Sequence, residues 1–144
     1  MLRAFPSRLW GLKLVALNRA LRLRKNSDFQ RVRQQRRSVS SRLLILAWSP
    51  NNDSSRLRIG FVVGKRISKR AVDRNYIKRL LSEAIRPALA DLPGGFDIVI
   101  SAKNQVMGSD LLILQHDIAT LLRRAQLLTS PVQHAEVSKS KDRT

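Results

Sequence analysis

The chain has 144 residues and carries 28 Lys and Arg against 10 Asp and Glu, a formal charge of +18. That length predicts one domain with flexible ends, and that charge makes a polyanion the natural partner, because the isolated chain repels itself. The lack of cysteine excludes disulfide scaffolds and thiolate zinc sites, and no run approaches the ~18 apolar residues of a membrane span.

Apolar residues make up 43% and aromatics 5%, so the core must be built mainly of Leu, Ile and Val. Residues 1–20 mix Leu and Trp10 with scattered cations and are expected to form a flexible extension. A secretion signal is disfavoured there, because Lys13 interrupts the apolar region and Arg19 stands where small residues should precede cleavage. Ser27 with Gln30 three residues on has the form of a capping box. It predicts a short helix with Phe29 and Val32, running to about Arg36. Residues 43–48 read as a strand, 49–53 as a turn dense in turn formers, and 56–63 as a second strand. In the latter Leu57, Ile59, Phe61 and Val63 alternate onto one side. The pattern expected is a hairpin followed by a helix.

Residues 65–86 hold eight Lys or Arg against Asp73 and Glu83. From Ala71 on, Ile77, Leu80, Leu81, Ala84 and Ala88 recur at three- and four-residue steps and share one helix face. Arg74, Asn75, Lys78, Arg79, Ser82 and Arg86 fall on the other side. A solvated helix face usually mixes signs to gain i,i+4 pairs; this arc contains no acid. It is suited to binding a polyanion, and nucleic acid is the obvious one, since neutralising phosphates releases counter-ions. Pro87 ends or kinks the helix. Pro93-Gly94-Gly95 is a turn, 97–102 a short buried strand, and Ser109 a candidate cap for a last helix. Leu111, Leu114, Ile118, Leu121, Leu122 and Ala125 form that helix's apolar stripe. Residues 129–144 are polar and expected to be disordered.

Nothing here looks like a protein active site. Phosphodiester hydrolysis needs clustered carboxylates on metal ions or a histidine pair. The ten acids are scattered singly, and His116 and His134 sit apart in the last helix and the tail. There is no nucleophile motif and no phosphate-binding glycine loop.

Arg74-Asn75-Tyr76-Ile77-Lys78-Arg79 resembles the Arg-Asn-x-x-Lys-Arg signature of the protein subunit of bacterial ribonuclease P. The resemblance extends over residues 21–128. Residues 23–29 (Leu-Arg-Lys-Asn-Ser-Asp-Phe) are similar to that family's opening, 58–63 to its strand before the basic segment, and 95–100 to its following strand. Departures stand at Ser82, commonly basic in the family, at the turn Ser68-Lys69-Arg70, usually with Gly, and at Lys103, usually Arg.

The resemblance implies an α+β fold, a sheet of about four strands packed with helices in the order α-β-β-β-α-β-α. A left-handed crossover is implied too, against the general preference for right-handed ones. It implies an assistant to a catalytic RNA in removing the 5′ leader of precursor tRNA, in the cytoplasm, with Mg2+ held by the RNA rather than by protein residues. RNA-binding residues would be Lys65, Arg66, Lys69, Arg70, Arg74, Asn75, Lys78, Arg79 and Arg86. A cleft for the single-stranded leader needs stacking surfaces and cations, and the matching positions are Phe29, Arg33, Trp48, Phe61 and Lys103. Phe61 alternates with core residues and could instead pack inside, and Trp48 could cap the hydrophobic layer. Arg33 stands where the family often has a second aromatic, pointing to guanidinium stacking. The alternative is a non-enzymatic RNA-binding protein such as a ribosomal protein. A DNA-binding repressor is disfavoured, because no helix-turn-helix spacing precedes the basic helix.

Overall fold

A computed structural model describes residues 21–35 and 37–128; the expected N-terminal extension and polar tail lie outside the described residues. The order is α1 (Asn26–Gln34), β1 (Ser38–Ser40), β2 (Leu44–Pro50), β3 (Leu57–Val62), α2 (Ala71–Ile85), β4 (Phe96–Ala102) and α3 (Leu111–Arg124). A 3-10 segment, Arg86–Asp91, follows α2 with Pro87 in its first turn, as the missing N–H of proline dictates.

The sheet order is β1-β2-β4-β3. β2 and β3 are therefore not a hairpin; β4 inserts between them, antiparallel to β2 and parallel to β3. The reason lies in burial. Ile98, Val99 and Ile100 are buried on both faces, as a central strand requires, whereas β3 is half-buried along most of its length. The hairpin of this fold is β1–β2, with Val39 opposite Leu46.

Register sorts the side chains onto two faces. Leu46, Ile100 and Phe61 are cross-strand neighbours, as are Trp48, Ile98 and Ile59. This face packs on Ile77, Leu80, Leu81 and Ile85 of α2 and on Leu114, Ile118, Leu121 and Leu122 of α3. The opposite face carries a smaller cluster, in which Ala47 and Val99 meet Val32 of α1 and Leu23, flanked by Phe29 and Val62. Leu23 is tied to the β3 edge by its N–H to the Ile59 carbonyl, 3.0 Å.

Two expected caps are absent. α1 begins after Lys25 with no side-chain cap, so Ser27 lies inside the helix. Asp110, not Ser109, caps α3, accepting from the Ile113 N–H at 2.9 Å. A carboxylate also suits the positive end of the helix dipole better than a hydroxyl.

Candidate nucleic-acid interface

The segment between β3 and α2 folds back onto the start of the helix. The Ser68 hydroxyl donates to Asp73 Oδ2 at 2.9 Å and accepts from the Arg70 N–H at 3.2 Å. Asp73 is fully buried, and its other oxygen has no partner among the described residues. Arg74 reaches back to the Ser68 carbonyl at 2.9 Å. This clasp leaves Lys65, Arg66, Lys69 and Arg70 exposed on the loop, with Asn75, Lys78 and Arg79 exposed on α2 and Arg86 exposed just past its end. Among the described residues, none of Lys65, Arg66, Lys69, Arg70, Lys78 and Arg79 forms an ion pair. Arg86 does, with Glu83 at 3.3 Å.

Two members of the expected exposed arc are therefore different. Arg74 is half-buried and holds the loop. Ser82 is buried, its hydroxyl donating to the Lys78 carbonyl at 3.0 Å. It sits at the rim of the β3-edge hollow lined also by Phe61, Lys78 and Arg79, as a small back-bonding hydroxyl rather than a third cation.

The expected leader cleft splits in two. A cleft of about 540 Å³ lies beyond the C-terminal half of α1, lined by Arg33, Ile45, Val62, Lys65, Arg66, Lys103, Asn104 and Gln105 among others. Arg33 and Lys103 thus meet Lys65 and Arg66 of the basic loop. The Lys103 ammonium is already engaged, donating to the Ser41 carbonyl at 2.6 Å. A second groove of about 370 Å³ lies at the β3 edge, lined by Arg22, Arg24, Phe29, Gly60, Phe61, Lys78 and Arg79 among others. Phe29 and Arg33 are one turn apart on α1, so one helix face serves both hollows.

Trp48 and Phe61 do not line the larger cleft. Register places both on the α2/α3 side of the sheet, where they pack against the main core. Phe61 reaches the β3-edge groove; Trp48 lines neither hollow. Gly60 is what admits Phe29, since a Cβ there would collide with the phenyl ring. Sequence patterning missed Arg22, Arg24, Asn104 and Gln105. The adjoining Leu23 and Val106 mark segments that pack, but alternation says nothing about where their polar neighbours point.

Beneath α1 the charges behave differently. Asp97 of β4 is fully buried and takes a bidentate pair from Arg58, Nε at 3.0 Å and Nη2 at 2.8 Å, with the Asn51 amide at 3.1 Å and a close contact from Arg31. Burial pushes the carboxyl up, but the hydrogen bonds from Arg58, Asn51 and Arg31 outweigh it and hold Asp97 below the usual range. Hydrogen bonding to Asp97 raises Arg58 in turn. Among the described residues no three His, Cys, Asp or Glu side chains gather as a metal site, and no helix is long and apolar enough to cross a membrane.

A four-stranded α+β domain presenting unpaired cations beside charged hollows defines a polyanion-binding protein, and comparisons with known proteins narrow the class. The ribonuclease P family model matches residues 17–126. The ribonuclease P protein component of Chloroflexus aggregans is 40% identical over 116 residues, 80% of this chain and 84% of the relative. That of Alkaliphilus oremlandii is 35% identical over 111 residues, 77% and 96% of the two chains. The solved ribonuclease P protein of Staphylococcus aureus superposes with a TM-score of 0.69 at 28% identity, covering 77% of this chain and 100% of that one. For the Thermotoga maritima protein the values are 0.64, 26%, 72% and 96%.

The chain belongs to the ribonuclease P protein family. It is thus the protein component of a ribonucleoprotein endoribonuclease of tRNA processing, with an RNA subunit as partner and as carrier of the chemistry. The ribosomal-protein alternative falls away.

Proposed function

We propose that this chain holds the RNA subunit with the exposed cations of the basic loop and α2, and holds the single-stranded 5′ leader of precursor tRNA in the cleft beyond α1. The observation that carries this reading is that Lys69, Arg70, Lys78 and Arg79 are exposed and form no ion pair among the described residues, beside a cleft rimmed by Arg33, Lys65 and Arg66. Unpaired guanidinium forks and ammonium groups are free to take phosphate oxygens, and each phosphate neutralised releases counter-ions. The cleft floor of Ile45 and Val62 offers apolar surface to bases, and Arg33 a planar group to stack on them. Such a cleft follows a strand by its backbone more than by its sequence.

Mg2+ would be held by the RNA. The protein's cations would lower the repulsion between RNA subunit and precursor, so that less magnesium is needed for cleavage, in the cytoplasm where precursor tRNA is made.

Reconstitution tests the reading. Purified protein with Mg2+ is expected to leave precursor tRNA intact. Protein with the RNA subunit should release the leader at magnesium concentrations where the RNA alone is slow, and should bind precursor more tightly than mature tRNA. Cleavage by protein free of RNA, or equal affinity for the two tRNAs, would overturn it.

A further inference from the structure

α1 is a helix of nine residues with one fully buried side chain, Val32. It rests on a small apolar cluster, so contacts on its flanks help to fix its rotation about its own axis. At about 100° per residue, with Val32 facing the sheet, Arg31 projects on one flank and Phe29 and Arg33 on the other. The Arg31 flank is fastened. Its guanidinium meets buried Asp97 and donates to the Ser49 hydroxyl at 2.7 Å and the Pro50 carbonyl at 3.0 Å. Asp97 is itself immobilised by Arg58 and Asn51, and Asp28, one turn before Arg31, faces both arginines at 3.7 and 3.4 Å. The other flank carries the groups that face the two hollows, Phe29 and Arg33.

We propose that Asp97 is a positioning residue for leader binding. Through Arg31 it sets the roll of α1, and so the aim of Arg33 and Phe29 across the trough between helix and sheet. The proposal rests on the leader-cleft reading above. Without the Arg31 grip that flank of α1 keeps, among the described residues, only the longer Asp28–Arg58 contact at 3.4 Å, so the helix can roll about its Val32 contact, and the Arg33 head, at the end of a long side chain, moves furthest. Neither Asp97 nor Arg31 lies on the basic loop or on α2, so the hold on the RNA subunit should not depend on them.

The test compares reconstituted holoenzymes carrying Asp97→Asn and Arg31→Gln. Arg31→Gln leaves Asp97 with Arg58 and Asn51, so it remains informative if Asp97→Asn fails to fold. The measured quantity is the ratio of affinities for precursor and mature tRNA, with affinity for the RNA subunit measured in parallel. In both variants the ratio should fall by about tenfold, less than the roughly 10²-fold that a 1 Å misplacement can cost a reacting group, while RNA-subunit affinity stays unchanged. Arg31→Lys, which keeps one charged donor toward Asp97, should recover most of the ratio. A ratio equal to that of the unsubstituted protein, or one that falls only together with RNA-subunit affinity, overturns the proposal. If the unsubstituted holoenzyme does not discriminate at all, the leader-cleft reading fails, and this inference with it.

Discussion

Beneath α1 and along the outer side of α2 the molecule uses arginine for opposite purposes. Arg31 and Arg58 converge on a carboxylate with no exposure, while Arg70 and Arg79 face solvent and pair with no acid among the described residues. Side-chain type is the same in both places; what differs is the supply of acids. Asp97 and Asp28 sit where α1 crosses the sheet. Of the two acids in the basic segment, Asp73 is buried against Ser68 and Glu83 pairs with Arg86. Cations that are neutralised build the fold, and those left without partners remain available for phosphate. Arg74 stands between the two uses, bonded to a backbone carbonyl yet partly accessible.

Breaking the paired region should cost most. Asp97→Ala removes the carboxylate on which two guanidinium groups converge, leaving them Asp28 and, for Arg31, the Ser49 hydroxyl and Pro50 carbonyl; it should destabilise the protein by about 3 kcal/mol, the low end for breaking a buried pair, read as a lower urea midpoint. The same pair predicts the pH response. Asp97 titrates below its ordinary 3.8 in the folded protein. Its stabilisation is therefore complete above that ordinary value and is lost as pH falls through the lowered one. Unfolding followed from pH 6 to pH 2 should show a decline concentrated below about pH 4, and Asp97→Ala should flatten it. An equal decline in the variant would assign the effect to other carboxylates.

Gly60→Ala tests the other attachment of α1. The new methyl would collide with the Phe29 ring, and overpacking of this kind costs about 1–3 kcal/mol. Phe29→Leu in the same background should restore part of the loss. No recovery would mean that Gly60 is needed for a different reason.

How much of this was legible in the sequence follows from the range of the interactions. The faces of α2 and α3 were readable because Ile77, Leu80, Leu81 and Leu114, Ile118, Leu121 repeat at local spacing, and the Arg-Asn-x-x-Lys-Arg segment identified the family. Strand order was not readable, because alternation in β3 is the same whether its neighbour is β2 or β4. β1 was invisible as a strand, with Val39 its one apolar residue. Trp48 and Phe61 had the right chemistry for a cleft, but their face is set by register with Ile98 and Ile100, far along the chain. The Asp97 cluster joins residues 66 and 39 positions apart, so ten acids read singly could not reveal it. Ser82 and Arg74 were misplaced for a smaller reason. A helical wheel gives an angle but not what lies over it; Ser82 is buried at the rim of the β3-edge groove, and the folded-back loop engages Arg74.

Arg74→Ala sharpens the comparison at its midpoint. Losing the charged donor to the Ser68 carbonyl should cost about 1 kcal/mol, less than Asp97→Ala and more than removal of an exposed cation. Because the loop then loosens, hydrogen exchange should quicken at residues 64–70 and not under α1. Faster exchange throughout would show that the clasp supports the whole fold.

The smallest effect on stability, and the most diagnostic one, is expected from Lys78→Ala with Arg79→Ala. Both side chains are exposed and without ion pairs among the described residues, so melting should shift by no more than the equivalent of about 0.5 kcal/mol. Any shift should be upward in a chain of formal charge +18, where each cation removed relieves repulsion. Association with the RNA subunit should weaken, and its salt dependence should weaken with it. Each lost phosphate contact removes about 0.7–0.9 from the slope of log K against log salt, so two contacts should lower the slope by about 1.4–1.8. Affinity that drops with an unchanged slope would mean that these residues act by shape rather than by charge. A stability loss as large as that of Asp97→Ala would erase the distinction between the two regions.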